Sequence, residues 1–294
     1  PGSSTLACYH QPLTHQGRQT GMTPGIVWLT GSASGVGRHL TGAFLARGWR
    51  VLATDLDRRG LDAAMDEDGW PTDRLLLAQL DVTDRDAWQA NYRRLLAQWG
   101  GLDVMGNVAG FIQPRWLLQT RREEVDRHMD INFGGVVNGS LIAARHMAER
   151  GRGHIINIAS LAGIAPIPGL GNYSASKFAV RAWTLALARE LKPLGVAVTV
   201  ICPDAIETPM LTRQIDADEA ALTFSGGKAL TVGDIEQALF GPVLEKQPEE
   251  YALPTSRALQ ARLAGAFPSL SRFVLDKLRR RGARIQQARR GEGS

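Results

Sequence analysis

The sequence predicts one α/β domain on a doubly wound parallel sheet of about seven strands, Rossmann-like in organisation, with a helical, basic C-terminal extension. Three observations predict it. Short apolar runs alternate with helix-like stretches from residue 26 to about 253, the pattern of strands joined by crossover helices. The first run, Ile26-Val27-Trp28-Leu29, leads into glycine-rich Thr30-Gly31-Ser32-Ala33-Ser34-Gly35-Val36-Gly37, and a helical pattern follows at once. The 294 residues, 44% hydrophobic, suit a single large core and do not demand a second one.

Strands are expected near 26–30, 50–54, 75–80, 102–107, 154–159 and 196–201, with a short seventh near 250–253. The run His154-Ile155-Ile156-Asn157-Ile158-Ala159 illustrates the signal: near-continuous apolar character fits a parallel strand covered on both faces. Helices should fill roughly 36–47, 84–99, 120–149, 173–191, 232–245 and part of 256–282. A switch of strand order after the third strand would open a crevice at the carboxyl ends. Gly31, Asn107, Ser160 and Cys202-Pro203 follow strand ends and would line it.

Two residue patterns point to chemistry. The glycines 31, 35 and 37 make a strand-to-helix turn through which backbone can approach a pyrophosphate, with helix N-terminal amides holding its charge. Their G-x-x-x-G-x-G spacing departs from the commoner G-x-G-x-x-G. Tyr173 and Lys177 stand four residues apart in Tyr-Ser-Ala-Ser-Lys, hence on one face of a helix. An ammonium about 5 Å from a phenol, at an effective dielectric of about 20, favours phenolate by about 3 kcal/mol. That would draw the phenol toward neutral pH and make it a general acid/base. Ser160 lies thirteen residues before it, at a strand end.

Together these marks resemble the short-chain dehydrogenase/reductase family. They run in order over residues 26 to about 210: Thr30-Gly31…Gly35-Val36-Gly37, Asp81-Val82, Asn107-Val108-Ala109-Gly110, Asn132, Ser160, Tyr173…Lys177 and Thr208-Pro209. The resemblance implies an enzyme, an NAD(P)-dependent oxidoreductase interconverting a secondary alcohol and a ketone. Tyr173 would pass the proton, Lys177 would lower its pKa and bind the nicotinamide ribose, and Ser160 would polarise the substrate oxygen. Asn132, in Asp130-Ile131-Asn132-Phe133-Gly134-Gly135, would sit at an irregular helix turn and hold a water linked to Lys177. Gly31, Ser34, Gly35, Val36 and Gly37 would cradle the pyrophosphate, Asp81 and Val82 would meet adenine, and Asn107, Ala109 and Gly110 would wall the adenosine ribose. Pro203, Ile206 and Thr208 would close the nicotinamide end, Thr208 holding its amide. Val108 replaces the family's usual second asparagine, which removes one hydrogen bond from the support. A non-catalytic dinucleotide-sensing scaffold is the alternative from a different class; intact Ser160, Tyr173 and Lys177 argue against it.

Asp55 closes the second strand, where a carboxylate accepts hydrogen bonds from ribose hydroxyls and repels a 2′-phosphate. NAD is therefore preferred, with NADP open through Arg58 or Arg59. Pro203-Asp204 stands where the family usually has Pro-Gly. Asp204 is read as a turn residue capping a helix, or as a contact to a substrate hydroxyl or amine.

The expected pocket segments are apolar: Phe111, Ile112 and Trp116; Ile164, Pro166, Ile167 and Leu170; Met210 and Leu211. They suit a lipophilic alcohol or ketone. Residues 1–21 read as a polar leader or expression remnant, with Met22 a candidate start, and lack the apolar core of a secretion signal. Residues 22–255 form the catalytic domain, with a mobile substrate lid within 205–230, and 256–294 form the extension. The net charge of +5 is concentrated there: residues 271–294 carry +6, leaving a near-neutral body. Three readings of that segment stand: a solvated tail or packed helix, a peripheral contact with anionic lipid, or nucleic-acid binding, disfavoured because no recognition motif accompanies the arginines. Two cysteines, Cys8 and Cys202, build no disulfide framework and suggest no metal site. A reducing, cytoplasmic setting fits. A homo-oligomer, dimer or tetramer, through the helices at 84–99 and 120–149 is the family's habit.

Overall fold

The computed structural model describes residues 24–291; the expected leader, Met22 and Cys8 lie outside them. One parallel sheet organises the chain, in the order β3-β2-β1-β4-β5-β6-β7. Its strands are β1 (Ile26–Thr30), β2 (Arg50–Asp55), β3 (Leu75–Gln79), β4 (Val104–Asn107), β5 (Gly153–Ile158), β6 (Val196–Pro203) and β7 (Glu250–Leu253). All seven expected strands are present. The order reverses between β1 and β4, which opens the crevice at the carboxyl ends of β1, β4, β5 and β6.

Strand β1 is buried along its whole length, and its alternate residues feed opposite layers. Val27 and Leu29 pack with Phe44, Val51, Leu61 and Ile235 on one side of the sheet. Ile26 and Trp28 pack with Leu52, Trp88, Leu95, Met105 and Ile142 on the other. The rings of Trp28 and Trp88 lie 4.8 Å apart, and the Trp28 indole N–H donates to Thr54 Oγ1 at 3.0 Å. A buried indole thus keeps its hydrogen bond.

The helices are α1 (Gly35–Ala46), α2 (Arg58–Asp68), α3 (Arg85–Trp99), α4 (Arg122–His128), α5 (Gly135–Arg150), α6 (Gly171–Leu191), α7 (Pro209–Thr212), α8 (Val232–Ala238), α9 (Leu244–Lys246), α10 (Thr255–Ala266) and α11 (Pro268–Gly291). Helix α2 was not expected. It buries only Leu61 and Ala64, so its apolar stripe is too thin to read, although Asp57 caps its start and Gly69 (φ 61°) ends it. The single helix expected over 120–149 is divided: α4 and α5 are joined through a π-helical turn, Met129–Gly134.

The C-terminal region is two helices, longer than expected and broken before Pro268, where the preceding residue is biased away from helical geometry. Nor is the lid an open loop. It holds α7 and a 3₁₀ helix, Asp218–Ser225, against which α11 packs so closely that a Cβ at Gly282 would sit 1.9 Å from the Ala221 carbonyl. The basic segment is therefore a packed helix, the first of its three readings. Arg279 lies over the Trp116 ring at 4.6 Å, and Arg289 and Arg290 reach Glu207 and Asp218. No helix among the described residues is long and apolar enough to cross a membrane.

Candidate active site

A cavity of about 1070 Å³ runs along the carboxyl edge of the sheet, at the upper end of the range for small-molecule sites. Its first wall is the turn after β1. Gly31 and Gly35 hold positive φ, 71° and 54°, which glycine adopts without strain. A Cβ on Gly31 would lie 2.9 Å from Ala109 Cα, and one on Gly37 would lie 2.0 Å from the Gly31 carbonyl. Strand end, turn and α1 therefore meet at backbone contact. Ser34 begins α1 without a side-chain cap, so the first-turn amides keep no internal partner. This cradle fits a dinucleotide pyrophosphate.

Asp55, at the tip of β2, turns its carboxylate back to this wall and accepts from Ala33 N at 2.9 Å and Asp57 N at 3.0 Å. Arg58 faces elsewhere, pairing with Asp62 and donating to the Leu77 carbonyl. Asp81 and Val82 line the cavity beyond it. Asp81 Oδ1 accepts from the amide and hydroxyl of Thr83, while the Val82 carbonyl accepts from the Trp88 indole and Asn138. Val108, Ala109 and Gly110 form the next stretch, and the Thr30 hydroxyl oxygen accepts from the Val108 and Ala109 amides, each at 3.0 Å.

Asn107 is placed differently from the expectation. Its side chain is buried beneath the wall, donating to Ser140 Oγ at 3.1 Å and Asn157 Oδ1 at 2.8 Å. Its own Oδ1 has no partner, and Val108 packs into the core instead. It supports the sheet rather than facing the cavity.

Ser160, Tyr173 and Lys177 meet at the middle of the cavity. Ser160 follows β5; its oxygen accepts from Ala162 N at 3.1 Å and its hydroxyl donates to the Pro203 carbonyl at 3.4 Å. Lys177 is buried, and its Nζ donates to the Ile158 carbonyl at 2.9 Å. That nitrogen sits 5.7 Å from the Tyr173 ring centre. Burial pushes the phenol up to about 12, against the opposing interaction with the Ser160 hydroxyl, and brings the lysine down to about 8. The acidified phenol expected from spacing is thus reversed here. Desolvation penalises both charged forms and outweighs a lysine whose proton already serves a backbone carbonyl.

Asn132 occupies the π turn and does not line the cavity. It is fully buried, accepts from Phe111 N at 2.6 Å, and donates to Phe111 O and Ser176 Oγ, each at 2.9 Å. Ser176 in turn donates to the Tyr173 carbonyl at 2.7 Å. The sequence reading missed Ser176, although it lies inside the Tyr-Ser-Ala-Ser-Lys motif. Pro203, Ile206 and Thr208 close the far side, where Thr208 Cγ2 would stand 3.3 Å from a Cβ on Gly35.

At the other end Phe111, Ile112, Pro166, Ile167, Leu170, Met210 and Leu211 line the cavity as expected, whereas Trp116 and Ile164 do not. Trp116 lies under Arg279 and Ile164 packs in the core with Ala258. Asp204 caps no helix. It accepts from Arg257 Nε at 2.8 Å, and this pair, supplied by α10, had no sequence signal.

Comparison with known proteins agrees with this geometry. The family model described as short chain dehydrogenase matches residues 25–219. The chain is 33% identical over 196 residues to 3-oxoacyl-[acyl-carrier-protein] reductase FabG of Thermotoga maritima, covering 66% of this chain and 80% of that protein. It is 34% identical over 221 residues to NADP-dependent 3-hydroxy acid dehydrogenase YdfG of Salmonella typhimurium, covering 73% and 87%. To "Probable oxidoreductase EphD" of Mycobacterium tuberculosis it is 36% identical over 184 residues, 62% of this chain but 31% of that protein, so the chain spans about a third of that relative. The solved structure titled "Crystal structure of gox2181" shares the fold, with a TM-score of 0.71, 22% identity, and coverage of 79% and 94%. The chain belongs to the short-chain dehydrogenase family.

Proposed function

We propose that this oxidoreductase interconverts a secondary alcohol and a ketone on a lipophilic substrate, with NAD preferred over NADP. The observation that carries the reading is the convergence of Ser160, Tyr173 and Lys177 on one cavity beside the glycine cradle. When bound, the nicotinamide would supply or accept the hydride, which no side chain here can do. The chain's own residues then manage a single proton. Ser160 Oγ orients and polarises the substrate oxygen. Tyr173 Oη gives a proton to that oxygen in reduction and takes it in oxidation. Lys177 holds a positive charge behind the phenol, and a cationic nicotinamide nearby would add to it, lowering a phenol that burial otherwise raises.

The preference for NAD rests on Asp55. Its carboxylate faces the cradle, and Arg58 is engaged with Asp62 away from it, so a 2′-phosphate would meet negative charge. YdfG is named NADP-dependent, which makes the comparison of the two cofactors a required arm of the test. Lipophilicity follows from the substrate end of the cavity. Arg257 is paired with Asp204 and Gln214 with Thr223, leaving apolar surface for the body of the ligand. A cytoplasmic setting and a homo-oligomer, dimer or tetramer through the α3 and α4–α5 faces, accompany the reading. Any peripheral contact with anionic lipid would fall to Arg280, Arg281 and Arg284, which are exposed on α11.

The test is reduced-cofactor formation over a panel of lipophilic secondary alcohols, with NAD and NADP in parallel and Tyr173→Phe as control. Turnover with NAD that vanishes in the control supports the reading. Equal turnover in the control, or none from the wild type on any alcohol or ketone, removes it.

A further inference from the structure

The end of the cavity distal to the glycine cradle is closed by the C-terminal helix. Pro268, Leu275 and Leu278 of α11 line it, beside Ala261 and Ala264 of α10. Leu275 and Leu278 are three residues apart and so share one helix face; both are half-buried.

This helix is fixed to the body of the protein from the opposite side of its length. Gln286 is buried and donates to the carbonyls of Gln214 and Ala217 at 2.9 and 2.7 Å. Arg290 Nε donates to the Ile215 carbonyl at 2.7 Å, and Arg289 Nη2 to Glu207 at 2.6 Å. Gly282 touches the Ala221 carbonyl with no room for a Cβ between them. A helix so anchored to the lid is a wall of set position, and its two leucines stand at a defined depth.

The polar groups near that wall are spent on each other. Arg257 gives Nε to Asp204 and Nη1 to Gln260. Gln214 donates to the Met210 carbonyl and accepts from Thr223. What α11 offers a ligand is therefore apolar contact, which follows the area buried and ends where the cavity ends.

We propose that Leu275 and Leu278 are specificity-determining residues that form the end stop for the apolar body of the substrate, setting the length of straight hydrocarbon chain the site accepts. The inference rests on the proposed alcohol–ketone function for its substrate class, and its test reads binding rather than turnover. Each methylene buried raises affinity about fourfold, so the series reports where burial stops.

The full chain, saturated with reduced cofactor, is titrated with a homologous series of straight-chain 2-ketones from hexanone upward, by calorimetry. For the wild type, affinity climbs about fourfold per carbon and then levels. In the Leu275→Ala, Leu278→Ala double variant the level should be reached about two carbons later, with the affinity of short ketones unchanged. In Leu278→Trp, which adds bulk, it should be reached earlier. A plateau at the same carbon number in all three proteins, or no binding by any member of the series, overturns the end stop. Turnover of the same ketones is measured alongside. Binding with the shifted plateaus but no turnover refutes the functional reading and leaves the end stop standing.

Discussion

Lys177 Nζ donates a 2.9 Å hydrogen bond to the carbonyl of Ile158. That bond ties α6, which carries Tyr173, to the end of β5, two residues before Ser160. The three groups are held at one place because a helix side chain is fastened to a strand backbone. The cation involved is 4% exposed, and burial holds its pKa at about 8 in place of 10.5.

A cost in stability follows, with a definite pH window. Between about 8 and 10.5 the unfolded chain keeps this proton while the folded one loses it, so wild-type stability rises with pH there. The penalty is fully present below pH 8 and amounts to about 3 kcal/mol. Lys177→Met removes it. Urea titrations of wild type and variant at pH 7 and pH 10, without cofactor, should show the wild type gaining on the variant at the higher pH. An unchanged difference would mean the ammonium is better solvated than this geometry allows.

Tyr173→Phe should lower kcat by about 10²- to 10⁴-fold, the range for losing a positioned general acid. Cofactor affinity, read by fluorescence titration, should hardly move. Ser160→Ala should lower kcat by about 10²- to 10³-fold. Since the two hydroxyls interact, the double variant should lose less than the product of the single losses. Multiplying losses would show that they act independently.

The seven strands were legible because each is a near-continuous apolar run, which parallel strands covered on both faces require. The motif residues Ser160, Tyr173 and Lys177 were legible for a different reason, their fixed spacing on a strand end and one helix face. Helix α2 was not, because two buried residues make no visible period. Nor was the direction in which Asn107 points: β4 could have presented it to the cavity, and Ser140 and Asn157 decide otherwise. The position of α11 was out of reach too. Its anchors are backbone carbonyls of Gln214, Ile215 and Ala217, which carry no sequence signature. The phenol's displacement was misjudged because spacing gives a distance between charges but not the solvent they lose.

Asp55→Asn should shift the ratio of kcat/KM for NADP over NAD upward by about tenfold to a hundredfold, the value of one or two charge-assisted contacts. The amide keeps an acceptor oxygen for Ala33 N, so the turn itself should persist. A ratio that stays put would place the adenosine ribose out of reach of this side chain.

His154 supplies an acid-sensitive element in the sheet. It is buried, and burial brings it down to about 4 from 6.5. Thr199 Oγ1 donates to the Pro248 carbonyl at 2.6 Å, so it accepts from His154 Nε2 at 2.8 Å, and Nδ1 is left unpaired. As pH falls from 6.5 toward 4 the unfolded chain takes up a proton the folded one refuses, costing about 3 kcal/mol. His154→Gln keeps a donor and cannot titrate. Its melting temperature should fall less steeply over that range than the wild type's, and parallel curves would locate the acid sensitivity elsewhere.

Asn132 links the π turn to the active-site wall, and it does so through both backbone groups of one residue. Its amide accepts from Phe111 N and donates to Phe111 O, and its second N–H reaches Ser176, which bonds the Tyr173 carbonyl. The extra residue of a π turn is what brings this side chain inward, since regular helix would place it a turn away. Asn132→Ala strands two backbone groups of Phe111 at about 1–3 kcal/mol each. The loop after β4 should then loosen beside Gly110, whose Cβ position lies 3.6 Å from Lys177 Nζ. Denaturant midpoints should drop, cofactor Kd should rise, and amide exchange at residues 110–113 should quicken while that of α10 stays as it was. Loss of turnover with stability, cofactor Kd and exchange all unchanged would instead make Asn132 a direct participant in proton transfer.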